Sequence, residues 1–320
     1  MTIRIGIIGC GRVARPHLKA YTAHGVAITA VADINMDAAN ELAREAGGAT
    51  SFGDSRAMLE SGLVDAVSIC TPPTQHEQPV VDALSRGIHV LCEKPLAHDL
   101  PSARRIAAAA EKSTALFMPA FPFRFQWVAQ KMRDTVREGK LGQLVFFNNV
   151  LCGPVFWVKD TWYTRKALAG GGVLLDICSH SVDLFRFIVG EVVEQHAVSH
   201  RHLEGTDVED AGIIVLKAEN GAVGTVSASW VAGVGQHFTN IIGQNGRLYY
   251  DYANAGQLEL TQRGESQKTI IPVEPTDGFI QEVGHFLAAV RGETPLSCTI
   301  HDALRTVEII APLYAGDGGR

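Results

Sequence analysis

The stretch Ile3–Ala14, IRIGIIGCGRVA, decides the fold. Its opening run of β-branched residues suits a parallel strand buried on both faces. The run breaks at Gly9-Cys10-Gly11-Arg12-Val13-Ala14, a G-x-G-x-x-A string, and ARPHLKAYTAHG after it has the spacing of a helix. In such a strand–turn–helix unit Gly9 permits the tight turn and Gly11 lets backbone approach a pyrophosphate. Ala14 lets helix and strand pack closely, and the helix N-terminus faces the anion. Arg12 and Val13 complete the turn and are candidate cofactor contacts with the glycines. The string alone is weak, but a strand before it and a helix after it make it a dinucleotide-binding signature.

Working outward, AITAVAD reads as a second strand ending at Asp33, where an acidic residue meets the adenosine ribose hydroxyls. Its carboxylate accepts those hydrogen bonds and repels a 2′-phosphate. The residues after it are Ile34, Asn35 and Met36, with no cation, so NAD is expected over NADP. Further along, VDAVSIC is a strand and CTPPTQHE follows it, at the carboxyl edge of the sheet where open α/β folds bind ligands. Thr71 and Pro72 are placed there as cofactor contacts, and His76 opens the next helix, as a contact or as a packing histidine. The strand IHVLCEK then ends in Glu93, Lys94 and Pro95. At that edge Glu93 and Lys94 lie beside the cofactor. There the lysine is able to hydrogen-bond a substrate oxygen.

The remaining N-terminal segments alternate strand and helix patterns up to ALFMP, which calls for right-handed crossovers and a doubly wound parallel sheet. After about residue 121 the pattern changes. A helix, FQWVAQKMRDTVREG, leads to the strand-like LVFFNNVLC, a loop, and the apolar helix VLLDICSHSVDLFRFIVG. Residues 192–272 read as successive strands with turn signals such as GQNGR, and two helix patterns close the chain. The expected architecture is α/β: an NAD(P)-binding Rossmann domain over 1–121, then an α+β domain over 122–320 on an open, largely antiparallel sheet, for substrate binding and oligomerisation.

The chain has 320 residues, enough for two cores, with 46% hydrophobic and 19% charged residues. A net charge of −6 without a Lys/Arg cluster points away from nucleic acid. No apolar run approaches a membrane span, and the N-terminus has no signal-peptide pattern, so a cytoplasmic protein is expected. The six cysteines are scattered without C-x-x-C spacing and fit a reduced, buried set. His196, His200 and His202 lack a nearby carboxylate or cysteine pattern, so no metal is expected.

In AGGGVLLDICSHSVDLF, Asp176 and His180 are spaced i, i+4, on one helix face. Gly170, Gly171 and Gly172 before them permit close backbone approach or a sharp turn into the helix. The N-terminal glycines, Asp33, TPPTQHEQPVVDALSRGIHVLCEKPLA and GGGVLLDICSHSVDL together resemble the Gfo/Idh/MocA family, relatives of glucose–fructose oxidoreductase and inositol dehydrogenase. The likeness covers essentially the whole chain.

The resemblance implies roles. Lys94 matches the lysine of the Glu-Lys-Pro motif, which polarises or protonates the substrate oxygen, and relatives often hold the following peptide bond cis. His180 matches the general acid/base histidine, and Asp176 the residue that binds a substrate hydroxyl and orients it. Arg124 in FPFRF resembles an arginine near the pocket, and a structural ion pair serves it equally well. Trp157, Trp162, Tyr163, Arg165 and Lys166 precede the glycines; Trp162, Tyr163 and Arg165 are candidate substrate contacts, with core or interface packing as the other reading. One departure is Cys178, where relatives usually have glycine. The implied activity is NAD-dependent hydride transfer at a carbinol carbon of a sugar, sugar derivative or cyclic polyol. The alternatives are a lyase or glycosidase with transiently used NAD, or a non-catalytic nucleotide sensor. The resemblance also implies a homodimer or homotetramer.

Overall fold

The structure, a computed structural model, describes residues 3–314. Its elements begin β1 (Ile5–Ile8), α1 (Ala14–Ala23), β2 (Ile28–Ala32), α2 (Met36–Glu45), β3 (Thr50–Phe52) and α3 (Ser55–Glu60). They continue with β4 (Ala66–Ile69), α4 (Glu77–Ser85), β5 (His89–Glu93), α5 (Leu100–Lys112), β6 (Phe117–Ala120) and α6 (Pro122–Phe125). Next come α7 (Trp127–Arg137), β7 (Leu144–Pro154), α8 (Lys166–Ala169) and α9 (Val173–Ile188). The strands β8 (Val192–His200), β9 (Ala211–Ala218), β10 (Val223–Ser229) and β11 (Val231–Gly243) follow. The last elements are β12 (Gly246–Asp251), β13 (Gln257–Gln262), β14 (Thr269–Pro272), α10 (Gly278–Val290) and α11 (Ile300–Ile310).

The described residues form two compact units, 3–122 with 277–307, and 123–276 with 308–314. The first is a six-stranded parallel sheet in the order β3-β2-β1-β4-β5-β6, the doubly wound arrangement expected for dinucleotide binding. β1 and β4 are buried along their whole length, which is why their sequences are apolar but for Ser68 rather than alternating. β3 had no sequence signal. It is a three-residue edge strand, partly exposed, without an apolar pattern to betray it.

The first unit is not confined to the N-terminal residues. Asp277–Val307 belongs to the first unit. There α10 packs on α1: Phe279 sets its ring edge to His17 at 5.5 Å, Lys19 pairs with Asp277 at 2.7 Å, and His24 Nε2 meets the Ile280 carbonyl at 2.8 Å.

The second unit carries an eight-stranded sheet, β14-β13-β12-β11-β7-β10-β9-β8, antiparallel except for the β7–β10 pair. Helix α9 lies on one face, its apolar side joining Phe147, Ile214, Val226 and Ile241 in the core. Phe147 and Phe185 meet edge to face at 5.4 Å. The opposite face has no helix on it among the described residues. There Arg247, Asn240, Asn148 and Thr225 form a cross-strand polar ladder, with Phe146, Val198 and Val215 exposed beside it. Within Lys166–Ile188, where α8 and α9 are separated by three glycines, an 18-residue window has a mean hydropathy of 1.2 and is 78% buried inside the protein, and α9 supplies the core helix of this unit.

Candidate functional site

The first unit supplies the cofactor half. Gly9 has φ +88, and a Cβ there would lie 2.7 Å from the Cys70 carbonyl carbon, so only glycine lets β1 and β4 end side by side. A Cβ on Gly11 would meet nothing within 4 Å, which leaves room over the loop for a pyrophosphate. Arg12 is exposed and Val13 half-buried at the start of α1. Asp33 is bound into the loop: one carboxylate oxygen accepts from Cys10 N at 2.7 Å, the other from Asn35 N at 2.8 Å. A carboxylate has about four acceptor positions, so two remain for a ribose. Asn35 caps α2 through Asp37 N and Ala38 N, and the residues that follow Asp33 in sequence, Ile34, Asn35 and Met36, carry no positive charge. These residues fit NAD.

At the carboxyl ends of β4 and β5 the structure separates contacts from supports. Thr71, Pro72 and Lys94 are half-buried at the edge, and the Lys94–Pro95 peptide is cis. His76, read as a contact or as a packing histidine, and Glu93, read as a cofactor contact, both lie in the interior. His76 is fully buried, with Nε2 2.8 Å from the Thr71 carbonyl and Nδ1 3.2 Å from that of Leu96, so it ties the two edge loops together. Burial holds its pKa below the usual histidine value. Glu93 is 6% exposed and faces inward, toward His17 Nε2 at 2.9 Å, and its second oxygen accepts from Lys94 N at 3.2 Å. His17 Nδ1 meets Ser68 Oγ at 3.1 Å, and Tyr21 reaches the same hydroxyl at 2.9 Å. His17 thus bridges Glu93 and Ser68 through its two ring nitrogens. This buried chain fixes the backbone from which Lys94 projects.

The second unit carries its own candidate groups on α9. Asp176 and His180 are half-buried, as is Ile177, while Leu175, Cys178 and Ser179 are buried, so the pair lies on the more open side of the helix. Cys178 lies in the hydrophobic core, where burial raises its thiol pKa above the usual range. It therefore packs beneath the helix and does not share the Asp176–His180 face.

The N-terminus of α9 is held by Glu209, a residue without any sequence signal. Its side chain accepts from Gly172 N and Leu174 N, both at 3.0 Å, and from the Tyr314 hydroxyl at 2.6 Å; its carbonyl accepts from Val173 N at 2.9 Å. A Cβ on Gly172 would collide with that carbonyl oxygen. The glycine thus lets Glu209 satisfy the donors that open a helix. Burial keeps the Glu209 carboxyl above its usual pKa, outweighing the Tyr314 and backbone hydrogen bonds.

Arg124 is corrected as a substrate contact. It is 4% exposed and bound to Asp183, itself 1% exposed, with Nε donating to Oδ2 at 3.0 Å and Nη2 to Oδ1. The aromatic loop forms its own cluster: Trp162 and Tyr163 stack at 3.8 Å, and Trp157 meets Tyr163 edge-on at 4.9 Å. Arg165 is exposed next to them. His200 and His202 approach at 4.7 Å between ring centres, and no group of three or more metal-binding side chains occurs among the described residues.

The chain is 27% identical over 305 residues to a myo-inositol 2-dehydrogenase of Thermotoga maritima, covering 92% of this chain and 90% of that protein. It is 27% identical over 297 residues to a levoglucosan dehydrogenase of Pseudarthrobacter phenanthrenivorans, covering 81% and 76%. A solved levoglucosan dehydrogenase in complex with NADH and levoglucosan superposes with a TM-score of 0.90 over 98% of both chains at 24% identity, a likeness of fold. The model of the oxidoreductase family with an NAD-binding Rossmann fold matches residues 3–121, and that of the matching C-terminal domain residues 129–249. With its glycine turn, an aspartate just past the second strand and two-unit architecture, the chain belongs to the Gfo/Idh/MocA family of oxidoreductases and carries that family's NAD-binding Rossmann domain.

Proposed function

We propose that this protein is an NAD-dependent dehydrogenase acting on a CH–OH group of a sugar, sugar derivative or cyclic polyol. The observation that carries the reading is the half-buried Asp176–His180 pair on one face of a helix that is otherwise mostly core, in a chain with an NAD-binding fold. Relatives named for inositol and levoglucosan support the substrate class. When bound, the nicotinamide accepts a hydride from the carbinol carbon. His180 takes the hydroxyl proton, and Lys94 stabilises the developing alkoxide by charge. Asp176 binds a neighbouring hydroxyl and orients His180. Trp162, Tyr163 and Arg165 offer an aromatic and cationic surface to the sugar.

The test is a screen of sugars, anhydrosugars and inositols with NAD, read by nicotinamide absorbance. A net rise in reduced cofactor with one of them is expected; product formation without net reduction would replace the reading by transient oxidation. NAD is the preferred cofactor, because Asp33 loses a hydroxyl contact and gains like-charge repulsion with a 2′-phosphate. The expected preference is about tenfold to a hundredfold, ~1–3 kcal/mol. Equal catalytic efficiency with NADP would sink it.

The open sheet face with exposed Phe146, Val198 and Val215 supports pairing with a second copy, as homodimer or homotetramer. A monomer by light scattering at micromolar concentration would count against this. The six free thiols, five of them buried, support a reducing compartment such as the cytoplasm.

A further inference from the structure

We propose that Phe123 is a positioning residue for His180, and that Phe123 and Arg124 together form a two-point clamp on one face of α9. The inference rests on the reading of His180 as the base. The segment FPFRF offers only its arginine to a sequence reader, but the structure puts the preceding phenylalanine on the imidazole. The two rings stack with centres 4.6 Å apart and planes 14° from parallel. The next residue, Arg124, makes the buried ion pair with Asp183, one helical turn beyond His180. Neighbours 123 and 124 thus grip residues 180 and 183, which lie on the same helix face.

The clamp is backed from behind. Tyr252 lies 6.2 Å from Phe123, and its hydroxyl meets Thr239 Oγ1 at 3.3 Å. Thr239 in turn binds Asn149 Nδ2 at 2.9 Å, and Asn149 receives the hydroxyl of Ser181, the residue after His180. Phe123 is therefore held on both sides by elements that also hold α9.

The chemical need is clear. The ring torsion of histidine is broad and roughly two-fold, so an imidazole on an open helix face can turn its nitrogen away from a substrate proton. A general base must sit within about 2.6–3.2 Å of the proton it takes, and small misplacements are costly. A parallel aromatic face removes that rotation without competing for the nitrogens. Phe123 acts through His180 and not on substrate.

The test reads orientation directly. In the full-length protein the Cε1–H resonance of His180, assigned by its loss in His180→Gln, should be displaced upfield by the ring current of Phe123. Phe123→Leu should move it downfield and lower kcat by roughly tenfold to a hundredfold, with KM for NAD unchanged. Phe123→Tyr should restore both signals. Should Phe123→Leu fold poorly, Phe123→Met, similar in volume and without a ring, takes its place. An unmoved resonance or a wild-type kcat in the ring-less variant overturns the proposal. Wild-type turnover by His180→Gln would overturn the base assignment and the clamp with it; a silenced His180→Gln beside an unaffected Phe123→Leu overturns the clamp alone.

Discussion

In the first unit the candidate groups hang on short loops at a sheet edge: Asp33 accepts from Cys10 N and Asn35 N, and Glu93 from the backbone of its own neighbour, Lys94. In the second unit the candidate groups ride on a long helix, and what fixes them is distant in sequence: Glu209 at its start, Asp183 with Arg124 along it, Asn149 with Ser181 beneath it. A nucleotide loop needs backbone shape, which glycine and a few local hydrogen bonds supply. A base on a helix needs the helix itself held in register, which takes buried polar partners from other elements. The contrast predicts where each unit is fragile.

The largest effect is expected at the Arg124–Asp183 pair. Asp183→Ala strands a buried guanidinium and should lower stability by about 3–5 kcal/mol, whereas replacing both partners by apolar residues of similar volume should cost far less. Urea denaturation of the two variants checks this; equal losses would mean the charge is not what matters. Next come the proposed catalytic groups, one from each unit. Lys94→Ala and His180→Ala should each reduce kcat by ~10²–10³-fold and leave NAD affinity nearly unchanged. The two losses should not add, because both groups act on one substrate oxygen. Additive losses in the double variant, or wild-type turnover by Lys94→Ala, would break the mechanism.

Glu209→Ala removes three side-chain hydrogen bonds from the start of α9 and should cost about 1–3 kcal/mol. It should also lower kcat, since Asp176 lies in that first turn. Glu209→Gln, which retains an acceptor, should recover part of both, read by thermal unfolding and steady-state kinetics.

The smallest effect is one of pH. Burial lowers the pKa of His76, His89 and His285, all in the first unit; His89 and His285 also accept hydrogen bonds from Leu116 N and Ser297 N, which protonation would break. A histidine depressed in the folded state stabilises it above the unfolded pKa of about 6.5, and the contribution is lost as pH falls through the folded value. Glu209, raised by burial, has the opposite sign: its contribution is present below the unfolded pKa and lost as pH rises through the folded one. Between neutral and mildly acidic pH, hydrogen exchange corrected for intrinsic rates should show the peptides around His76 and His89 loosening and those at the start of α9 not. Parallel loosening in both units would remove the distinction.

The same contrast explains what was legible in the sequence. The glycine turn, Asp33 and the Glu-Lys-Pro strand end are local patterns, and all three stand where the sequence placed them. The i, i+4 spacing of Asp176 and His180 is equally local. Their supports are not, since Gly172 and Glu209 are 37 residues apart, Arg124 and Asp183 are 59, and His17 and Glu93 are 76. Periodicity reports that a residue is buried, but not which partner meets it there. Hence Glu93 and His76 read as cofactor contacts when they are interior braces. Likewise α10 was recognisable as a helix, while nothing in its pattern says which core its apolar face joins.

That placement of α10 bears on how the chain is made. The ribosome releases residues 1–122 long before 277–307, so the nascent nucleotide-binding unit waits through the whole second unit before its last helices exist. Until then the α1 surface that receives Phe279 stays open to water and to chaperones. The second unit, nearly continuous in sequence, has its eight strands complete when residue 272 emerges. Closing the first unit across that insertion means bringing together positions such as Lys19 and Asp277, 258 residues apart, a loop whose entropy must be met before the contact rewards it. The helix that carries Asp176 and His180 is therefore synthesised before the nucleotide platform is complete, although the platform is the part whose glycine turn is read first.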